Sequence, residues 1–335
     1  DEQALTDIAL FIAEETMDYA AVIDAEKAAI GGDLAVGEDL FQESCSDCHG
    51  PEGTAIDFKA NVTSTETISA IANGNPWEFF HKVRFGQPSE ADMPPAIDAG
   101  WTVDEQTSVL AYAQTLANEN LATQGGLLYD KWWKAMGADE PAGDQALWAT
   151  QSTNERSGTD TWRCKECHGW DYQGVDGAYG DSSHTTGFKG VLGAAGMSAE
   201  ELTAWLDGTA NADHDFSAYF DETTSSMMGE FLQTNVIDMT PYINADKTVN
   251  GDLANGQVVF EAGCARCHGE DGQGINFGEE DDPTFLGDLA LDNPWEVLHK
   301  AANGQPAAHM PGGLNLGFSW DDMADALAYI QTLGQ

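Results

Sequence analysis

The sequence predicts an all-α protein made of three tandem helical domains. The motif C-x-x-C-H occurs three times, at residues 45–49, 164–168 and 264–268. The residues around the first and the third copy form an internal duplication. Helix-start signals, an Asn, Ser or Thr followed three residues later by an acidic residue, recur after the motifs. One helical domain per motif, about 100 residues each, accounts for the length of 335 residues.

The repeated motif indicates the chemistry. C-x-x-C-H is the attachment signature of a c-type haem, in which two thiols add to the porphyrin vinyl groups and the adjacent imidazole becomes the proximal iron ligand. The three copies use all six cysteines of the chain. Neither disulfides nor a zinc site would require a histidine directly after every pair. We therefore predict three covalently bound haem c groups. The attaching cysteines are Cys45, Cys48, Cys164, Cys167, Cys264 and Cys267, and the proximal ligands are His49, His168 and His268.

The apolar runs and the start of the chain bear on location. The longest apolar runs, such as residues 8–13, are far too short to span a bilayer, so we expect no transmembrane segment. The chain begins with Asp1 and has no basic, apolar targeting stretch there, which is typical of a mature terminus. Haem is attached to such motifs outside the cytoplasm. We therefore expect a periplasmic protein, exported with its signal peptide removed.

The charge limits the partners. There are 57 acidic and 13 basic residues, a formal net charge of −44. Nucleic acid and anionic lipid need a positive surface, so both are excluded as partners. The acidic residues are spread along the whole chain, which favours solvation in a halophilic or haloalkaliphilic setting. A second interpretation is an acidic docking face for a redox protein with a basic face. The oligomeric state stays open.

The duplicated regions share further features after their motifs. Asn75-Pro and Asn293-Pro each start a middle helix, and both helices carry an equivalent histidine, His81 and His299, for which a hydrogen-bonding structural role is favoured. Each region continues with a Met-Pro loop and a capped last helix.

Together these features resemble the monohaem class I cytochrome c fold over residues 31–118 and 248–335. The resemblance implies that an aromatic and a glycine of the first helix cross an aromatic of the last helix. These residues are Gly37, Phe41 and Tyr112 in the first region, and Gly256, Phe260 and Tyr329 in the third. We expect an N-terminal extension at 1–30, domain 1 at 31–120, a divergent domain 2 at 121–247 and domain 3 at 248–335.

The central domain departs from this pattern by a long insertion before its haem motif. Gly125 and Tyr129 repeat the glycine and aromatic, but 34 residues then precede Cys164, against three between Phe41 and Cys45. Its tryptophans are expected to fill a larger core. The N-terminal extension resembles residues 231–243, so we interpret it as the remnant of a further domain or as a strap packed like that later segment.

The sixth iron ligand decides what each haem does. Met93 lies 44 residues after His49, and Met310 lies 42 residues after His268, both before a proline. A thioether favours ferrous iron and raises the potential, which suits electron transfer. We predict Met93 and Met310 as ligands. His309 is a rival, but the first domain has Asp92 at the equivalent place.

The second haem has no Met-Pro loop. Met310 lies six residues after Gly304, and His214 lies six residues after Gly208. We therefore predict His214, which makes haem 2 bis-histidine and lower in potential. Three alternatives stay open, as does an iron without a sixth ligand: His184, Met227 and Met228.

These assignments predict an electron-transfer protein rather than an enzyme. One alternative is a haem enzyme of sulfur-compound oxidation or of peroxidase type, with an open site at haem 2. No cysteine remains beyond the six in the motifs, which counts against the sulfur-oxidising class. Another alternative is an electron-transfer subunit of a larger redox complex. The sequence leaves the donor, the acceptor and the potentials undefined.

Overall fold

The computed structural model is helical throughout the part of the chain that it describes, which confirms the all-α prediction. The described residues are 2–11, 15–87, 93–117, 120–181 and 183–334. Within these ranges extended backbone pairs only as isolated bridges, such as Ile23 with Ala29.

Long helices alternate with one-turn helices along the chain. In order they are α1 (Glu2–Leu10), α2 (Leu34–Ser44), α3 (Ser46–His49), α4 (Ile68–Gly74), α5 (Pro76–Phe85), α6 (Val103–Ala113), α7 (Leu121–Ala135), α8 (Cys164–His168), α9 (Ala199–Leu206), α10 (Glu222–Thr234), α11 (Leu253–Gly263), α12 (Ala265–His268), α13 (Leu286–Asp292), α14 (Pro294–Asn303) and α15 (Trp320–Leu333). Short 3₁₀ helices lie at Tyr19–Ala21, Ala146–Thr150, Gly158–Trp162 and Leu192–Gly196.

The chain forms two compact units. One comprises Asp1–Cys45 and Ile68–Leu116, and the other comprises Ser46–Thr67 and Ala117–Gln335. The segment Ser46–Thr67, which contains Cys48 and His49 of the first motif, thus belongs to the second unit, whereas Cys45 belongs to the first. The division into an extension and three haem domains stays a prediction.

The predicted helix starts are present. The Asn75 side chain accepts a hydrogen bond from the Glu78 backbone N–H, and Pro76 occupies the first turn of α5. Helices α6, α9 and α15 each begin with a complete capping box, at Thr102, Ser198 and Ser319. These caps satisfy backbone donors that a helix leaves free at its N-terminus.

In the first and the third haem regions, a glycine allows the first and the last helix to approach each other closely. A Cβ at Gly37 would lie 2.1 Å from the Ser108 carbonyl oxygen, and one at Gly256 would lie 2.0 Å from that of Asp325. The flanking ring centroids are 5.5 Å apart for Phe41 and Tyr112, and 5.6 Å apart for the Phe260–Tyr329 pair. These are the two crossings that the resemblance implied.

The central region repeats the crossing between α7 and α10. A Cβ at Gly125 would lie 2.1 Å from the Met227 carbonyl oxygen, and the Tyr129 ring is 5.4 Å from that of Phe231. Around this crossing the tryptophans fill the core, as expected. The side chains of Trp132 and Trp133 are fully buried, and that of Trp148 is nearly so.

Two turns with the same structure precede the first and the third haem regions. In each turn the carbonyl oxygen of a lysine accepts a hydrogen bond from a glutamine side chain later in the chain. Gln114, the C-cap of α6, donates to Lys27, and Gln331 on α15 donates to Lys247. Each amide also accepts from the backbone N–H two residues after the lysine. The turn of the N-terminal extension therefore packs like the later segment, as the strap interpretation expects.

Candidate haem-attachment sites

The three C-x-x-C-H motifs share one local structure. Each lies on a one-turn helix, α3, α8 or α12, and each is followed by a glycine with positive φ. The N–H of Gly50 donates to the Ser46 carbonyl oxygen at 2.8 Å, and Gly169 and Gly269 repeat this bond one helical turn back. The glycine is required here because a left-handed residue ends the turn directly after the histidine.

Burial lowers the pKa of all three proximal histidines. It lowers the pKa of His49 to about 4, with a smaller contribution from the charge of Arg266. Burial also lowers the pKa of His168 to about 4 and that of His268 below its usual value. Metal binding requires the neutral imidazole, so these shifts favour the form that binds a metal.

The six cysteines do not form disulfides. Burial raises the pKa of the Cys164 thiol to about 12 and that of Cys264 to about 11. Redox-active C-x-x-C pairs depend on a depressed thiol pKa, so these two motifs lack the property that catalysis of disulfide exchange needs. Paired thiols beside a neutral histidine fit covalent haem attachment.

The rings of His168 and His214 are neighbours, and their planes lie at 64° to each other. Their ring centroids are 6.2 Å apart. Two metal–nitrogen bonds of about 2 Å each, with about 1 Å from each nitrogen to its ring centre, give roughly 6 Å for two imidazoles on opposite sides of one metal ion. The two rings therefore fit a bis-histidine haem iron.

Hydrogen bonds orient both of these rings. Nδ1 of His168 lies 2.6 Å from the Lys189 carbonyl oxygen, and Nδ1 of His214 lies 2.8 Å from that of Trp205. In each ring Nδ1–H donates to a carbonyl, which leaves Nε2 for a metal and increases its basicity.

The other candidates for the second iron make different contacts. His184 stacks on Tyr179, with ring centroids 4.8 Å apart, and its Nδ1 is 3.9 Å from a Glu166 carboxylate oxygen. Met227 and Met228 are buried in the hydrophobic core on α10. The choice of His214 remains a prediction, and this placement agrees with it.

Each of the two methionines has its carbonyl oxygen close to the glycine that follows the middle helix. A Cβ at Gly86 would lie 2.6 Å from the Met93 carbonyl oxygen, and one at Gly304 would lie 2.8 Å from that of Met310. Gly208, from which the His214 prediction is counted, has the same positive φ, 78°, against 77° and 95° for the other two.

The iron ligation by these methionines stays a prediction. Met93 belongs to the first unit, and Met310 to the second. His309 is exposed, and its Nδ1 lies 3.3 Å from the Asp57 carbonyl oxygen. Asp92, the residue used to favour methionine over His309, lies outside the described residues.

The middle-helix histidines have hydrogen-bonding roles. His299 is fully buried, and burial lowers its pKa to about 4. The Tyr172 hydroxyl donates to its Nδ1 at 2.6 Å, and its Nε2–H donates to the Gly126 carbonyl oxygen at 3.1 Å. The equivalent His81 contacts the Tyr19 hydroxyl at 3.3 Å.

The sequence interpretation missed a buried charge network at the second motif. Glu166, a variable residue of that motif, is fully buried, and Lys165 is 5% exposed. The Glu166 carboxylate is paired with Lys165 and, at 2.9 Å, with Arg156. Burial alone would raise the pKa of Glu166, but His184, Lys165 and Arg156 lower it to about 2. The signal was available, because only this motif has two charged variable residues.

The network continues around one tryptophan. Trp170 is almost fully buried, and three cations lie over its ring: Arg163, Lys165 and Lys300, at 6.0, 5.3 and 5.7 Å from the centroid. Arg163 is also paired with the buried Asp130. This network fixes helix α8 against α7 and α14.

Among the described residues, no helix combines the length and the apolar character that a bilayer crossing requires.

Comparisons with known proteins match both ends of the chain. Residues 32–112 match the family described as "Cytochrome C oxidase, cbb3-type, subunit III", and residues 253–334 match the family described as "Cytochrome c". A "Cytochrome c-553-like" protein of Synechocystis sp. is 29% identical over 97 residues, which are 29% of this chain and 84% of that relative. No solved structure matches the chain.

Proposed function

Since the chain carries cytochrome c domains at residues 32–112 and 253–334, we propose that it is a triheme cytochrome c that transfers electrons between redox proteins. The observation that carries the proposal is the threefold repetition of one local structure, a C-x-x-C-H segment whose histidine ends a one-turn helix and is followed by a glycine with positive φ. The central region is a third, divergent domain of the same kind.

The residues of the chain hold three haem c groups, and each bound iron supplies a reversible one-electron couple. His49 and Met93 ligate the first iron, and His268 and Met310 ligate the third. His168 and His214 ligate the second, and their bonds to backbone carbonyls favour the ferric state, so its potential is the lowest of the three.

The electron-carrier role is favoured over an enzyme. A peroxidase-type site needs an open coordination position at the second iron. The centroid distance of 6.2 Å between the His214 and His168 rings supports His214 as the second ligand, which would leave no open position at this iron.

The partners and the location follow from charge and from haem attachment. The protein is periplasmic, because haem is attached to such motifs after export. With 57 acidic and 13 basic residues, it docks redox partners through a basic face of the partner. The same acidic surface suits a halophilic or haloalkaliphilic setting.

The test is EPR with near-infrared magnetic circular dichroism on the fully oxidised protein. We expect three low-spin irons, two with methionine ligation and one bis-histidine. A stoichiometric high-spin haem would contradict the carrier role and would point to peroxide or sulfur substrates. Fewer than three haems per chain by pyridine haemochrome would contradict the triheme proposal.

A further inference from the structure

The first and the third attachment motifs meet at one side chain. Arg266 is the second variable residue of the third motif, and its Nη1 atom lies 3.8 Å from Sγ of Cys48 in the first motif. Helix α3, which carries Cys48, also packs against α11, which leads into the third motif. Two attachment segments far apart in sequence are therefore neighbours in the second unit.

Further contacts hold the first motif in this position. A Cβ at Gly50 would lie 1.9 Å from the Asn315 carbonyl oxygen, so the two backbones touch. The Asn315 amide donates to the Thr54 carbonyl oxygen at 3.3 Å, and its oxygen accepts from the Thr123 hydroxyl at 3.0 Å. These contacts hold the loop that follows the first motif against the loop that follows Met310, and so fix the first motif within the second unit.

The second motif is built differently. Its variable residues, Lys165 and Glu166, are buried and pair with each other. The charge of Lys165 is thereby neutralised within its own motif. Arg266 instead is exposed and points to the motif of another haem site.

We propose that Arg266 acts on two haem sites at once, its own and the first, and raises the potential of both. This inference rests on the proposed function. A positive charge near an iron favours the reduced state, which carries one positive charge less. Because Arg266 is exposed, water and salt screen its field, so the effect is largest at low ionic strength.

The experiment is a spectroelectrochemical titration of the holoprotein and of Arg266→Gln at low salt. We expect two of the three one-electron waves to move to lower potential, with the bis-histidine wave unchanged. Each shift is expected to be up to about a tenfold change in the reduction equilibrium, which is 59 mV for one electron. Arg266→Lys keeps the charge and should restore both waves.

A matched control removes a different cation, in the loop that follows the first motif. Lys59 is exposed and pairs with Glu66 at 3.3 Å, so Lys59→Gln changes the net charge equally without touching a motif. Lys59→Gln should leave the midpoint potentials of all three waves unchanged. A shift of only one wave in Arg266→Gln would show that the guanidinium acts within its own motif, and no shift would likewise overturn the proposal. An equal shift in Arg266→Lys would show that the charge is not the cause. Failure of the wild-type protein to give three reversible waves would instead contradict the proposed function.

Discussion

Glu166→Gln tests the buried charge network at the second motif. The substitution keeps the shape of the side chain but removes the charge that pairs with Lys165 and, at 2.9 Å, with Arg156. Arg156 is 39% exposed and can be hydrated, whereas the Lys165 side chain is 6% exposed and is left without its main counter-charge. Removing one partner of a buried ion pair costs about 3–5 kcal/mol. Because Arg156 can be hydrated, we expect Glu166→Gln to lower the free energy of unfolding by about 3 kcal/mol, the lower end of this range.

The measurement is thermal unfolding followed by far-ultraviolet circular dichroism. A unit of this length loses roughly 2–4 °C in Tm per kcal/mol, so Glu166→Gln should melt roughly 6–12 °C lower. Asp47 occupies the same position of the first motif and is exposed, so Asp47→Asn is the matched control. It should stay within about 0.5 kcal/mol of the wild type. Equal Tm values for the two variants would refute the reasoning, because burial would then make no difference to the cost.

Three further predictions concern the second ligand, a helix crossing and a turn. His214→Met should keep the second haem low-spin and raise its potential, because a thioether favours ferrous iron. A high-spin signal in the EPR spectrum of His214→Met would contradict this expectation. The control variant His184→Ala should leave the EPR spectrum unchanged. Gly256→Ala places a Cβ 2.0 Å from the Asp325 carbonyl oxygen, so it should cost about 1–3 kcal/mol in urea unfolding, and an unchanged midpoint would contradict it. Gln331→Ala removes three hydrogen bonds of 2.8, 2.9 and 3.2 Å and should cost about 2 kcal/mol in the same assay, whereas a loss below about 0.5 kcal/mol would show that these hydrogen bonds are dispensable.

The features that the sequence predicted well are those that depend on close neighbours in the chain. The capping boxes that begin at Thr102 and Ser319 each depend on only four consecutive residues, and both are present. The glycine and aromatic of α11 also lie one helical turn apart, and they produce the expected crossing at Gly256 and Phe260. Such signals act locally, so a single sequence is enough to recognise them.

The pairing of His168 with His214 could be predicted only in part from the sequence. Counting from Gly208 selected His214 on the expectation that this glycine ends a helix as Gly304 does, and both glycines have a positive φ. The carbonyl bonds that orient the two rings could not be predicted, since they come from the backbone of Lys189 and Trp205. Any residue type supplies a carbonyl, so the sequence carries no signal for it.

Only the tertiary structure decided which distant groups meet. The chain has 13 basic residues, and the sequence alone did not reveal that Lys165 is buried against Glu166 or that Arg266 reaches Cys48. Likewise burial lowers the pKa of His299, and its Nδ1 accepts a hydrogen bond from Tyr172, 127 residues away. The sequence by itself predicted three haem sites, their proximal ligands and the helices that carry them. The burial and the mutual position of those sites depend on packing between segments far apart in the chain. The electrostatic interactions around the sites depend on the same packing, because burial determines how strongly two charges interact.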